Sequence, residues 1–180
     1  MLDGASGSGI GCAGIADMEE HMDELLKILK NNALESPGNI AKMLNMSEDE
    51  VRKRIKEYEK KGIIRGYQAV VNEDQLDINR VMAVIEVTVT PEREGGFDRV
   101  SNRISRFPEV ESLYLVSGDY DLLLFVEGRD LKSVSSFVSE RLATIEGVKS
   151  TVTHFMLKTY KHHGVEMESQ DEYERLKVSP

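Results

Sequence analysis

The spacing of apolar residues changes near Gly62, and this change restricts the possible folds more than any other feature of the sequence. Before it, apolar residues recur at helical spacing, as at Val51, Ile55 and Tyr58. After it, apolar and polar residues alternate, which is typical of strands. The 180-residue chain therefore predicts an α+β protein, with a helical N-terminal domain and a C-terminal domain built around a sheet.

The helical part, residues 17–66, carries the start and stop signals of three helices. Ser36 before Pro37 predicts the N-cap of a short second helix, and Asn45 stands where the chain must leave it. Ser47 and Glu50 match a capping box at the start of the third helix. Two helices joined by so tight a turn describe a helix-turn-helix domain. The first helix is predicted from an apolar stripe of Met22, Leu25, Leu26 and Leu29.

The C-terminal part, residues 80–164, alternates strand and helix patterns in the order βαββαβ. This order is that of a ferredoxin-like domain, with helices on one face of an antiparallel sheet. Residues 67–79 are expected to form a linker, with extended chain up to Asn72 followed by a turn. The predicted elements are strand Arg80–Thr90, helix Gly95–Arg106, strands Val110–Val116 and Asp121–Glu127, helix Leu131–Ala143 and strand Val148–Tyr160.

The two ends of the chain differ from the rest in composition. Residues 1–16 are mostly glycine, serine and other small residues, so we expect them to be disordered and to be a remnant of cloning, with Met18 or Met22 as the natural start. Residues 165–180 are acidic and poor in apolar residues, which predicts a frayed tail. The alternative for this tail is a segment that docks on a neighbouring protomer.

Composition excludes several classes of protein. Even the longest apolar runs, such as Leu122 to Val126, are far too short to span a membrane. Cys12 is the only cysteine, which rules out an internal disulfide and cysteine-paired zinc sites and favours a cytoplasmic location. The histidines show no familiar metal spacing, and no nucleophile motif or nucleotide-binding loop is present. We therefore expect no metal, no cofactor and no catalytic site.

A basic face on the third helix is the first candidate site. Lys53, Lys56 and Lys60 project to the side opposite the apolar stripe, and a second helix after a tight turn is the element that enters a DNA major groove. An ordinary solvated helix face is the alternative. Glu48 and Asp49 are expected to cap the helix dipole rather than read bases. The predicted residues for binding double-stranded DNA are Ser47, Arg52, Lys53, Arg54, Lys56, Lys60, Lys61 and Arg65.

These segments resemble the Lrp/AsnC (feast/famine) transcriptional regulators. The resemblance rests on Asn39-Ile40-Ala41, on Val51 to Ile55, on Lys61 to Tyr67 and on Gly118 to Leu124, and it spans residues 22–161 in the family's order. It implies a helix-turn-helix domain joined to an effector-binding RAM domain, an amino acid or related small molecule as effector, and a homo-oligomer. A dimer is also expected because a four-stranded sheet leaves open edges, and members of the family often form octamers.

The turn from Gly118 to Asp121 is the second candidate site. Gly118 permits close backbone approach, neighbouring amides can hold a carboxylate, and Asp119 or Asp121 can hold an ammonium group. An ordinary hairpin turn is the alternative. The resemblance favours an effector site that also includes Tyr120, with Asp121 as the main carboxylate, and it adds two threonines of the last strand, Thr151 and Thr153.

Three other functions remain open at this point. One is a purely structural assembly module that has lost DNA binding, which the basic face of the third helix makes the less favoured interpretation. Some siroheme decarboxylases are similar to this family in fold, and His154 is the only histidine placed in the predicted sheet. The third alternative is an architectural DNA-binding protein that responds to no effector.

Overall fold

A computed structural model describes residues 22–76, 78, 80–90 and 97–167 of the chain. The chain divides into two compact units between Ala69 and Val70. The predictions made for residues 1–16 and for most of the acidic tail lie outside the described residues.

Three helices form the N-terminal unit: α1 Glu24–Asn31, α2 Pro37–Leu44 and α3 Glu48–Lys60. A side chain caps the start of each one. The hydroxyl of Ser36 accepts from the amide of Asn39 at 3.1 Å, and that of Ser47 accepts from the amide of Glu50 at 3.2 Å, so both residues are N-caps as predicted. The other half of the predicted capping box, a bond from the Ser47 amide to the Glu50 carboxylate, is absent among the described residues. Asp23 caps α1 by accepting from the amide of Leu25 at 2.8 Å. Each cap satisfies an amide that the helix itself leaves without an acceptor.

The turn between α2 and α3 is set by a left-handed residue. Asn45 adopts φ 51° and ψ 47°, and the next amide, that of Met46, donates to the carbonyl of Ala41 at 2.9 Å. Asparagine tolerates this conformation better than most residues, which is why the sequence marks the turn. The turn lets α2 and α3 share one core, formed by Leu25, Leu29, Ile40, Ala41 and Val51.

The C-terminal unit is a four-stranded antiparallel sheet with strand order β2-β3-β1-β4. Helix α4 follows β1, helix α5 follows β3, and a π-helical turn, Phe137–Leu142, continues α5. Helices pack on one face only, where Ile85, Leu124 and Leu142 are fully buried. The elements are β1 Val81–Val89, α4 Asp98–Ile104, β2 Val110–Leu115, β3 Leu122–Gly128, α5 Leu131–Ser136 and β4 Val148–Phe155. The βαββαβ prediction is therefore confirmed.

Three predicted elements change in extent. The last strand ends at Phe155 rather than Tyr160, because its partner β1 begins at Val81 and pairs Ala83 with Phe155. The single helix predicted over Leu131–Ala143 is α-helical only to Ser136 before its π-helical turn. Helix α4 ends at Ile104 rather than at the predicted Arg106, and its predicted start at Gly95 lies outside the described residues.

Two connecting segments also differ from expectation. Residues 64–72 form no strand, because no other described segment pairs with them, and Glu73–Gln75 is a short 3-10 helix. After β4, strands β5 Lys161–His162 and β6 Val165–Glu166 pair as a small hairpin, so the first residues of the predicted tail belong to this unit. The side-chain amide (Nδ2) of Asn72 donates to the backbone carbonyl of Met167 at 2.6 Å, which attaches the hairpin to the start of the unit.

Candidate DNA-binding surface and effector turn

Helix α3 has one buried side and one charged side. Val51 is fully buried, and Ile55 and Tyr58 pack partly buried against the same core. Lys53, Lys56 and Lys60 are exposed, as predicted from the helical spacing. The first turn of the helix carries acidic residues and its last turn carries a lysine. This distribution is favourable because the helix dipole is positive at its N-terminus and negative at its C-terminus.

Five cations of this unit form the free basic surface. Each is exposed, and none has a carboxylate within 4.0 Å among the described residues. A cation without an internal partner can neutralise a DNA phosphate without first breaking an ion pair. We call these residues the basic surface: Lys53, Lys56, Lys60, Lys61 and Arg65.

Two predicted DNA contacts are already paired within the protein. The guanidinium of Arg52 lies 2.5 Å from a carboxylate oxygen of Glu48, one turn earlier on the exposed side of α3. Arg54 is half-buried and lies 2.6 Å from Asp23, the cap of α1. The structure therefore gives Arg54 a role in holding α1 against α3. The sequence missed this because Arg54 and Asp23 are far apart along the chain.

Tyr58 lies beside this ion pair. Its pKa is raised above the usual value, first because the ring is partly desolvated and then because of the hydrogen bond and negative charge of Asp23. The hydroxyl therefore stays protonated, and Asp23, Arg54 and Tyr58 form one polar cluster at the junction of α1 and α3.

Two further polar residues lie near the basic surface. The Ser47 oxygen is used as an acceptor by its own helix, which leaves its hydroxyl proton available to an outside acceptor such as a phosphate. Lys42, exposed in the last turn of α2, was not among the predicted residues. In helix-turn-helix proteins the first of the two helices crosses the DNA backbone. A basic residue on that helix, such as Lys42, could therefore have been predicted from the sequence as a phosphate contact.

The predicted effector turn connects β2 to β3. Two backbone hydrogen bonds close its ends. The amide of Val116 donates to the backbone carbonyl of Asp121 at 2.9 Å, and the amide of Asp121 donates to the backbone carbonyl of Val87 at 3.1 Å. Gly118 has φ 153°, a backbone conformation that glycine adopts and other residues rarely do. A Cβ atom at this position would have no other atom within 4 Å. Gly118 and Asp119 are exposed and Tyr120 is half-buried, so the turn offers open backbone at the surface.

The two aspartates of this turn have different surroundings. Asp121, which the sequence favours as the main carboxylate, accepts from the amide of Val89 at 2.8 Å. This bond lies at the point where the β1–β4 pairing shifts register, between Thr88 and Val89. Asp119 is exposed and has no hydrogen-bond or ion-pair partner among the described residues. Asp121 therefore shapes the turn, whereas Asp119 keeps a free carboxylate.

The two predicted threonines lie on the helix-covered side of β4. Thr151 is paired with Val87 and Thr153 with Ile85, and both are half-buried. Thr151 is in the same cross-strand row as Leu122, which directly follows the turn. One strand, β1, separates it from β3. The structure thus brings Thr151 to the same end of the sheet as the turn and places Thr153 further toward the middle.

Comparison with known proteins decides the family. Residues 24–65 match a model described as winged helix-turn-helix DNA-binding, and residues 82–166 match one described as the Lrp/AsnC ligand binding domain. The transcriptional regulator YugG of Bacillus subtilis, itself described as uncharacterized, is 43% identical over 91% of this chain and 99% of its own. The chain belongs to the Lrp/AsnC family. It is a DNA-binding transcriptional regulator of the Lrp/AsnC type.

Other Lrp/AsnC proteins support the same assignment. The regulator LysM of Saccharolobus solfataricus is 34% identical over 82% of this chain and 99% of its own. The transcriptional regulator NMB0573 of Neisseria meningitidis, solved as an L-methionine complex, has a TM-score of 0.62 at 25% identity, covering 78% of this chain and 93% of that one. The order of the two domains in this Lrp/AsnC chain is the one predicted from its sequence.

The alternative of a siroheme-decarboxylase-like enzyme is not favoured for this Lrp/AsnC protein, because its relatives are named transcriptional regulators. His154 lies on the open side of the sheet, 3.1 Å from a carboxylate oxygen of Glu86. Within the described ranges, no group of three or more side chains is placed to hold a metal ion. No described helix is long and apolar enough to cross a membrane.

Proposed function

We propose that this Lrp/AsnC regulator binds DNA in the cytoplasm as a homodimer, through the basic surface, and that an amino acid bound at the Gly118–Asp121 turn changes its affinity for DNA. The observation that carries the DNA-binding part is the set of five exposed cations without internal partners on a helix-turn-helix. The chain as a whole has a net charge of −9. A concentrated basic surface on an acidic protein directs DNA to one place.

The salt dependence of DNA binding tests this part. Each phosphate neutralised contributes about −0.9 to the slope of log K against log salt, so five cations predict a slope of about −4.5 per protomer. Replacing Lys53 with glutamine is expected to reduce the slope by about 0.9, whereas replacing the already paired Arg52 is expected to reduce it less. Fluorescence anisotropy with a duplex from upstream of the protein's own gene measures both. A slope near zero contradicts the proposal.

For the effector, Asp119 is the better candidate to hold the ammonium group. Its carboxylate is exposed and unpaired, while one oxygen of Asp121 is committed to Val89. The open backbone around Gly118 offers amides for the amino acid's own carboxylate. The relative solved as an L-methionine complex makes an amino acid the first class of ligand to test. An effector can alter DNA affinity only through unequal affinity for two states of the protein.

Calorimetry with L-methionine and then with the other amino acids tests the effector site. A charge-assisted hydrogen bond contributes on the order of 1.5 to 3 kcal/mol, so Asp119→Asn is expected to weaken binding about tenfold to a hundredfold. Asp98→Asn, an exposed aspartate of the same unit, is the matched control and is expected to bind like the parent. If Asp119→Asn binds normally, the ammonium group lies elsewhere. If no amino acid binds, the protein is an effector-independent architectural regulator.

The homodimer is supported by the uncovered side of the sheet. Tyr114 and Val152 are each about half exposed there, at 52% and 50%, and no further strand of the described residues pairs with the edge strands β2 and β4. Exposed apolar surface and open edges favour pairing with a second copy. Sedimentation at micromolar concentration is expected to give a dimer or larger assembly, and Val152→Glu is expected to weaken it. A two-fold dimer reads two inverted half-sites in footprinting, whereas a single half-site contradicts it.

A further inference from the structure

The outer side of helix α4 borders a groove that neither the basic surface nor the effector turn includes. The groove lies between α4 and the turn that leads into β4, and its volume is about 520 Å³. Pockets for small molecules fall in the range of roughly 300 to 1,000 Å³, so the groove is large enough for one. Three arginines line it, Arg99, Arg103 and Arg106, together with Asn102.

The arginines are placed to act on a single ligand. Positions 99, 103 and 106 follow the spacing that puts residues on one side of a helix, with Arg106 in the turn just after α4. Arg99 lies 3.3 Å from Glu146, the one carboxylate among the groove residues. Arg103 and Arg106 are exposed and have no carboxylate within 4.0 Å in the described part of the chain. Adjacent like charges on a helix repel each other, so an anion bound between them would relieve that repulsion.

The floor of the groove is apolar and closely packed. Val100 and Ile145 form it, and their exposed fractions are only 2% and 3%. Gly147 has φ 95°, and a side chain there would come within 3.0 Å of Val100, so this glycine lets the turn approach α4. The carbonyl of Gly147 also accepts from the amide of Thr90 at 2.8 Å, which ties the turn to the end of β1. The groove is therefore shaped by packed residues and not only by mobile side chains.

We propose that this groove binds a small phosphorylated molecule, with its phosphate on Arg103 and Arg106. A planar carboxylate can be satisfied by the fork of one arginine. A phosphate carries three strong acceptor oxygens and can take donors from several directions. Several guanidinium groups and the Asn102 amide around one groove match the phosphate better. This site is independent of the effector turn, so the protein has room for a second class of small ligand.

Calorimetry on the full chain with inorganic pyrophosphate as the probe, at 0.15 M salt, tests this site. We expect saturable binding of one pyrophosphate per chain, and at least a tenfold loss of affinity in the double variant Arg103→Gln, Arg106→Gln. Both side chains are exposed, and circular dichroism checks that the variant folds. The matched control is Arg129→Gln with Lys132→Gln, which removes two exposed cations of the same unit outside the groove and is expected to bind like the parent.

Two parallel measurements separate the possible sources of the anion. Succinate, a small dicarboxylate, is expected to bind more weakly than pyrophosphate, and equal or tighter binding would overturn the choice of phosphate. The same groove variant is also tested for affinity to a duplex of random sequence. Loss of duplex binding without any pyrophosphate binding would make the groove a DNA backbone contact and overturn the small-molecule proposal. Pyrophosphate affinity that falls with Lys53→Gln and Lys56→Gln, but not with the groove variant, would place the anion on the basic surface instead.

Discussion

The two units of this protein place their functional groups by different means. In the helix-turn-helix, the basic surface lies mainly on one helix, and the caps that begin the helices of this unit join residues two or three apart. In the C-terminal unit, the effector turn is held by Asp121, whose carboxylate reaches the amide of Val89, 32 residues away. The basic surface keeps its exposed charges together as long as helix α3 forms. A turn fixed by a distant strand depends on the register of the whole sheet.

The largest effect should come from reversing charges on the basic surface. Lys53→Glu with Lys56→Glu removes two phosphate contacts and adds repulsion, and we expect a loss of DNA affinity of about a hundredfold or more. Both side chains face away from the core, so circular dichroism and oligomer size should be unchanged. Arg129→Glu with Lys132→Glu makes the same change of charge in the C-terminal unit and should have a much smaller effect. If the Lys53 and Lys56 variant unfolds, α3 does not present the surface described here.

The second effect tests whether the effector turn depends on its distant bond. Asp121→Ala leaves the Val89 amide without its acceptor, and we expect the free energy of unfolding to fall by about 1 to 3 kcal/mol in urea titrations. Asp119→Ala, two residues earlier and without a partner, should change it by less than about 0.5 kcal/mol. Equal effects of the two substitutions would show that the Asp121 bond does not hold the turn.

A third, smaller effect concerns the ion pair between Arg54 and Asp23, which are 31 residues apart in the sequence. Arg54→Gln breaks the contact with Asp23, and because both side chains are only partly buried we expect a loss of about 1 kcal/mol in the free energy of unfolding. The salt slope of DNA binding should stay close to that of the parent. Lys53→Gln should give the reverse pattern, with unchanged stability and a lower slope. A lower slope in Arg54→Gln would instead make Arg54 a phosphate contact.

The smallest effect is a pH dependence in the C-terminal unit. Partial desolvation, and then the hydrogen bond and negative charge of Glu127, raise the pKa of Glu111 above its usual value. A carboxyl whose folded pKa is raised contributes stability below its unfolded pKa and loses that contribution as the pH rises. Glu111→Gln should therefore increase the free energy of unfolding at pH 7, by less than about 1 kcal/mol because the side chain is exposed.

The same variant should show no difference from the parent below about pH 3, where Glu111 is protonated in both the folded and the unfolded chain. Urea titrations at the two pH values measure this. Glu140→Gln, an exposed glutamate on the π-helical turn, serves as the control and should match the parent at both. A stabilisation by Glu111→Gln that persists at low pH would come from something other than charge.

The elements that could be predicted are those whose signals lie within a few residues. Ser36, Asn45 and Ser47 mark the ends of helices because each bonds or bends its own neighbourhood, and the alternation of residues in β1 and β3 follows from one buried face. The predictions that were wrong concern elements whose extent depends on a distant strand. Residues 64–72 alternate like a strand but have no described partner, and the pairing of β4 with β1 ends at Phe155, with one further bond from the amide of Met156 to the carbonyl of Met82.

The candidate sites divide in the same way. Sequence alone determined the helix-turn-helix, the βαββαβ order and the exposed lysines of α3, because helical and strand periodicity decide which side of an element faces the core. Only the tertiary structure decided that Arg54 pairs with Asp23, that Asp121 rather than Asp119 holds the turn, and that Gly147 closes the floor of the arginine groove. Each of these joins residues separated by tens of positions, and such pairings depend on how the packed elements meet, which local sequence patterns do not encode.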